Sequence, residues 1–123
     1  MELSVKDFSN QIPFVVDQRK NPDNKDYAIL FKMENCSWCH KMEPVWEKLN
    51  KTIGFMRFYI FTVDSSTENI NHWYKIQKSL KNGKDMQGFP MVLMYGHQNK
   101  RVVSYPGYQP FEVMKQKVFE FAR

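Results

Sequence analysis

YAILFKMENCSWCHKMEP, residues 27–44, is the stretch on which the reading of this chain turns. Tyr27 to Met33 form a mostly apolar run, the pattern of a strand covered on both faces. The only two cysteines, Cys36 and Cys39, follow at once, with His40 directly behind the second. Beyond them Met42, Val45, Trp46, Leu49 and Ile53 recur at helical spacing, and Gly54 stands where a C-terminal cap is expected. FMRFYIFTVD, 55–64, is aromatic and β-branched and reads as a second buried strand. A helix opening at Cys36 between two such strands predicts a parallel pair joined by a right-handed crossover.

The letters C-x-x-C-H suit three chemistries. Haem attachment would take His40 as one axial ligand and a methionine as the other. A structural zinc site needs four ligands in a closed shell, and only Cys36, Cys39 and His40 cluster, with His72 and His97 far off in sequence. A dithiol needs the cysteine pair alone. At the start of a helix Cys36 meets unpaired backbone N–H groups and the positive end of the dipole, which favour its thiolate. Cys39, nearly one turn further on the same face, is placed to resolve a mixed disulfide formed at Cys36. The position between a buried strand and an amphipathic helix favours the dithiol, so no metal and no separate cofactor are expected. His40, four residues after Cys36, is a candidate for stabilising the thiolate or passing a proton, set against a plain surface role. Lys32 and Lys41 are further candidate sources of positive potential, each read first as a solvated charge.

With 123 residues, 42% hydrophobic and 15% aromatic, the chain is long enough for one core and too short for two. One domain over residues 1–123, acting as a monomer, is the expectation. The net charge of +5 comes from 18 basic and 13 acidic residues spread along the whole length. Lys75, Lys78, Lys81 and Lys84 form the most basic strip, but no recognisable nucleic-acid motif accompanies it, and no nucleic-acid partner is expected. The opening MELSVKDFSNQIPF lacks the apolar run of a secretory signal, and no later stretch reaches membrane-spanning length. A cytoplasmic protein with no membrane partner is expected. In that reducing compartment, cysteines three positions apart point to chemistry and not to a structural staple.

The rest divides at its Gly, Pro, Asn and Asp residues. A short strand is expected in the first few residues, then a helix within Val5 to Arg19 from the spacing of Phe8, Ile12, Val15 and Val16, with Pro13 as the argument against it. KNPDNKD, 20–26, reads as a turn. A helix from Thr67 to Leu80 would turn Ile70, Trp73, Ile76 and Leu80 inward. PMVLMY, 90–95, and RVVSY, 101–105, predict an antiparallel hairpin. Pro110 opens a last helix with Phe111, Met114, Val118 and Phe121 on one face.

In this order the parts resemble the thioredoxin superfamily over nearly the whole chain. The strand leads into Cys36-Ser37-Trp38-Cys39, Pro44 stands five residues after Cys39, Phe89-Pro90 precedes a strand, and Gly107 follows the last one. CSWCHKMEP is similar to the subgroup with C-x-W-C-[HK]-K-M-E more than to members with C-G-P-C or C-G-H-C. The resemblance implies an α/β thioredoxin-like fold, a central mixed sheet of four to five strands flanked by about four helices. It implies a thiol-disulfide oxidoreductase, with Cys36 as nucleophile and Cys39 as resolving thiol. It further implies a cis-proline at Pro90 facing the dithiol. The backbone of Phe89 would then pair with an extended substrate, with Ser37 and Trp38 at the contact surface.

Three departures stand out. Asn35 occupies the place where a typical member has tryptophan, and Leu30 and Ile60 occupy those of its buried acid and partner lysine. Glu43 or Glu34 are the candidates to substitute, both read first as solvated charges. The segment 65–88 is also longer than in a minimal member. Reduction of protein disulfides, recharged by an upstream thiol reductant in electron transport and redox homeostasis, is the expected role. A non-catalytic module holding extended polypeptides is the alternative.

Overall fold

The computed structural model describes residues 1–80 and 88–122. Four strands form one sheet: β1 (Asp26–Lys32), β2 (Met56–Thr62), β3 (Met91–Tyr95) and β4 (Val102–Pro106), in the order β2-β1-β3-β4. β1 and β2 are parallel, as expected for strands separated by a helix, while β3 is antiparallel to both β1 and β4. Three helices cover the sheet: α1 (Ser37–Thr52), α2 (Thr67–Ser79) and α3 (Phe111–Phe121).

The strand alternation sorts the core into two layers. Ala28 and Leu30 of β1 face the side occupied by Met42, Trp46 and Leu49 of α1 and Met114 and Val118 of α3. Tyr27, Ile29 and Phe31 face the other side, toward Trp73 and Ile76 of α2 and toward Phe8 and Val16 from the N-terminal segment. β1 and β3 are central and buried on both faces, which explains their continuous apolar sequences.

The helix expected within Val5 to Arg19 does not form. A three-residue 3-10 turn, Val5–Asp7, is followed by a folded-back strap in which Phe8 bridges Val16 and the Ser9 N–H donates to the Val15 carbonyl at 2.7 Å. Pro13 sits at the bend, where it removes no helical hydrogen bond. Apolar spacing misled because Phe8 and Val16 are anchor points of a loop, while Ile12, which a helix would have buried with them, is 45% exposed. This is why three α-helices stand among the described residues where about four were expected in the whole chain. The short N-terminal strand is reduced to a single bridge, Glu2 to Ile60, with the Leu3 N–H donating to the Ile60 carbonyl and the Ile60 N–H to that of Met1.

Gly54 does not cap α1 either. The helix ends on Ile53 in extended backbone, whose N–H bonds the Leu49 carbonyl at 2.9 Å. Among the described glycines the left-handed backbone is found instead at Gly88 (φ 95°) and Gly107 (φ 78°), in the two turns that flank the dithiol end of the sheet. No described helix is long and apolar enough to cross a membrane. Lys81 and Lys84 of the basic strip lie outside the described residues, as does most of the end of the 65–88 segment.

Candidate active site

β1 delivers the chain to the top of the sheet, and four residues later α1 begins with Cys36 as its N-cap. A sulfur takes the place of the usual capping oxygen: Cys36 Sγ accepts the backbone N–H of Cys39 at 3.2 Å. Its carbonyl accepts the His40 N–H at 3.1 Å, the first helical bond. Cys36 is half-buried and Cys39 fully buried, and the two are joined as a disulfide with their Cα atoms 5.2 Å apart. One sulfur is open to a partner while the other is reached only through it. Pro44 lies inside α1 and leaves the His40 carbonyl without its i+4 donor.

Across from the disulfide runs the segment Gly88-Phe89-Pro90. The Phe89–Pro90 bond is cis, and the Phe89 carbonyl oxygen is 3.7 Å from Cys36 Sγ. The Phe89 ring turns away from the site and packs on Trp73 of α2, with centroids 5.0 Å apart, so the side chain anchors the loop while its backbone faces the sulfur. The Pro90 carbonyl is held by the Gly107 N–H at 2.9 Å. That bond ties the loop to the turn after β4.

Ser37 and Trp38 between the cysteines are exposed, Trp38 by 53%. The indole is nonetheless fixed in place. Tyr108, next to Gly107, lies against it at 5.7 Å between centroids, and the Lys41 ammonium sits 4.5 Å from the ring centre. Tyr108 escaped the sequence reading because nothing local marks it; only its place beside Gly107 hints that it returns to the dithiol. Lys41, read first as a solvated charge, is a contact of the indole. On the other side of Cys36 a pocket of about 240 Å³ is lined by Met33, Asn35, Val63 and Asp64 among others.

The charges beside the dithiol differ from expectation. Lys32, at the end of β1, is ion-paired to Glu43 of α1, and only 19% of its side chain is exposed. Its hydrogen bond, opposed in part by burial and aided by His40, holds the Glu43 carboxyl below the ordinary carboxylate value. His40 is exposed but contacts acceptors through both ring nitrogens, the Glu34 carbonyl at 2.9 Å and Glu43 Oε2 at 3.4 Å. Glu34 thus takes part through its backbone. Leu30 and Ile60 are directly paired in register, so apolar side chains fill both members of that sheet position. His72 and His97 do not join the site: His72 is buried against Phe8, and the His97 N–H donates to Asp26 at 3.0 Å. Among the described residues no three His, Cys, Asp or Glu side chains gather as a metal site.

The fold compares well with solved thioredoxins. The short form of thioredoxin f from spinach chloroplast superposes over 100% of this chain and 93% of its own, with a TM-score of 0.69 and 17% identity. Chloroplastic thioredoxin z covers 97% of this chain and 90% of its own, at a TM-score of 0.64 and 16% identity. Fasciola hepatica thioredoxin covers 84% and 88%, at 0.63 and 17%. Among curated proteins no sequence matches. The family model described as a thioredoxin-like domain matches residues 17–122, from the end of the N-terminal strap through α3, and the chain belongs to that family.

Proposed function

We propose that this protein is a thiol-disulfide oxidoreductase that reduces protein disulfides in the cytoplasm, working as a monomeric single domain. The observation that carries the reading is the asymmetry of the pair: Cys36 half-buried at the N-cap of α1, Cys39 buried behind it and bonded to it. In the reduced protein the Cys36 thiolate attacks one sulfur of a substrate disulfide. The other substrate sulfur leaves and takes a proton. Cys39 then gives up its proton and attacks Cys36 Sγ, which forms the intramolecular disulfide and expels the second substrate thiolate. Two electrons and two protons pass from the dithiol to the substrate, and an upstream thiol reductant restores the pair.

Substrate would lie as an extended strand against the backbone of Phe89, with Pro90 beside it and Ser37 and Trp38 forming the contact surface. The likeness to proteins named as thioredoxins supports the reducing direction. The exposed Trp38 held by Tyr108 and Lys41 also suits a module that binds polypeptides without turnover. Dithiothreitol-driven insulin reduction separates the two. A rate for the native chain that Cys36→Ser abolishes supports the enzyme, and no rate above that variant leaves the binding module. Cys39→Ser is expected to trap client proteins as mixed disulfides. Trapping by Cys36→Ser alone would exchange the two roles.

A further inference from the structure

We propose that the cleft between the N-terminal segment and α2 binds a small organic anion with an apolar body, of the kind a medium-chain carboxylate represents. The cleft has a volume of about 510 Å³, within the range of small-molecule sites. Its two walls differ in chemistry. The N-terminal segment contributes Val5, Phe8 and Pro13, and α2 contributes Lys75 and Lys78, one turn apart and therefore on one side of the helix. His72, which also lines the cleft, joins the two walls. Its ring is buried and packs on Phe8 with centroids 4.5 Å apart, and its Nε2 donates to the Pro13 carbonyl at 2.8 Å. The segment is thereby tied to the helix, and the separation of the walls is fixed by contacts of the fold itself.

Charge selects the occupant. Among the described residues no acid lines the cleft, and neither lysine takes part in an ion pair. The acids closest along the chain are engaged or stand outside: Asp7 accepts the Ser4 N–H and hydroxyl, and Glu68, one turn before His72, is not part of the lining. The two serine hydroxyls at the cleft already serve the backbone, Ser9 accepting the Gln11 N–H at 3.1 Å and Ser79 donating to the Ile76 carbonyl at 2.8 Å. The charged groups left to a ligand are two ammonium groups beside apolar carbon. Lysine side chains can lay their methylenes along an apolar body while the head meets its anion. An inorganic anion leaves the apolar wall unused, and a neutral hydrocarbon leaves the lysines without a counter-charge, whereas an amphipathic carboxylate satisfies both. The site is independent of the oxidoreductase reading, because neither cysteine nor the Phe89–Pro90 step lines it. It gives a role to Lys75 and Lys78, the described members of the basic strip, which the dithiol chemistry does not use.

The test uses octanoate as the probe, titrated at fixed pH and followed through the imidazole NMR signals of His40, His72 and His97, with His72→Gln identifying the signal of His72. Octanoate is expected to move the His72 signal saturably, at one molecule per chain, while His40 beside the dithiol and His97 stay in place. Butanoate should bind at least about tenfold more weakly, since each buried methylene is worth about fourfold in affinity. Lys75→Gln combined with Lys78→Gln, both at exposed positions of α2, should weaken octanoate by about fivefold without changing the melting temperature of the free protein. Inorganic phosphate and 1-octanol, which carry the charge and the apolar body separately, should each bind more weakly than octanoate. A His72 signal that does not move, an affinity that the lysine substitutions leave unchanged, or phosphate or octanol binding as tightly as octanoate overturns the proposal. So does a shift confined to His40, which would put the anion at the dithiol end instead.

Discussion

The two faces of the sheet are covered by different means. On the side of α1 and α3, regular helices lay Met42, Trp46, Leu49, Met114 and Val118 onto Ala28 and Leu30. On the opposite side α2 covers only part, and the strap of residues 1–20 completes the cover without a helix. The strap is pinned by single polar contacts. Tyr27 Oη accepts the Val16 N–H at 2.9 Å and donates to the Phe14 carbonyl at 3.0 Å, and His72 Nε2 meets the Pro13 carbonyl at 2.8 Å. Burial pushes the Tyr27 phenol far above its ordinary value. The helical face is held by apolar contacts on a backbone that satisfies its own hydrogen bonds, whereas the strap, though Leu3, Phe8 and Val16 are buried in the core, relies on Tyr27 and His72 to pair its backbone groups.

Substitutions can break this contrast, and the largest effect is expected on the helical side. Leu49→Ala deletes a fully buried side chain of α1 and should cost about 2–5 kcal/mol by denaturant unfolding. A cost within experimental error would mean that the α1 face is not a close-packed layer. Tyr27→Phe removes one hydroxyl yet strands both the Val16 N–H and the Phe14 carbonyl, for a loss of about 1–3 kcal/mol. If the variant is as stable as the native protein, the strap is held by its apolar anchors alone.

The third effect depends on pH. Burial, with a smaller contribution from Lys75 and against the hydrogen bond to Pro13, holds the His72 imidazole below its ordinary value. The unfolded chain then binds a proton that the folded chain refuses, so stability falls as pH drops below about 6.5 and is fully present above it. His72→Gln should flatten that part of the native curve of melting temperature against pH. An unchanged slope would remove His72 from the account. Smallest of all, Ile12→Ala at the exposed bend should shift stability by no more than about 0.5 kcal/mol, although its spacing in the sequence is as helical as that of Leu49. A loss comparable to that of Leu49→Ala would show that the strap is packed as a helix after all.

Ile12 and Leu49 also show why the chain is only partly legible as sequence. From Tyr27 to Thr62, strand, helix and strand each satisfy their own local pattern and pack against immediate neighbours, so period and composition placed all three elements, though not the end of the helix, where Gly54 is not the cap. Val5 to Arg19 has the same apolar period, but its outcome depends on Tyr27 and His72, partners far along the chain that a local pattern does not contain. The site divides in the same way. Cys36, Cys39, Trp38 and the Phe89-Pro90 step were marked by spacing and by resemblance. Lys32 was marked only as a possible source of positive charge and Tyr108 not at all, because their contacts come from tertiary approach: Lys32 looks like any strand-end lysine until α1 brings Glu43 to it, and Tyr108 becomes part of the surface only when the turn at Gly107 folds back.

The bridge of Glu2 to Ile60 bears on how the molecule meets others of its kind. β2 is an outer strand of the sheet, and an outer strand offers unpaired N–H and C=O groups to any extended chain. Residues 1–3 occupy part of that row, with the Leu3 N–H 2.7 Å from the Ile60 carbonyl and the Ile60 N–H 2.9 Å from the Met1 carbonyl. On the far margin β4 ends in Pro106, which has no N–H to offer. The first residues thus shield the Ile60 position of one border and Pro106 closes the end of the other without a donor, and a redesign that trims residues 1–3 would expose the Ile60 N–H and carbonyl as an adhesive point on β2.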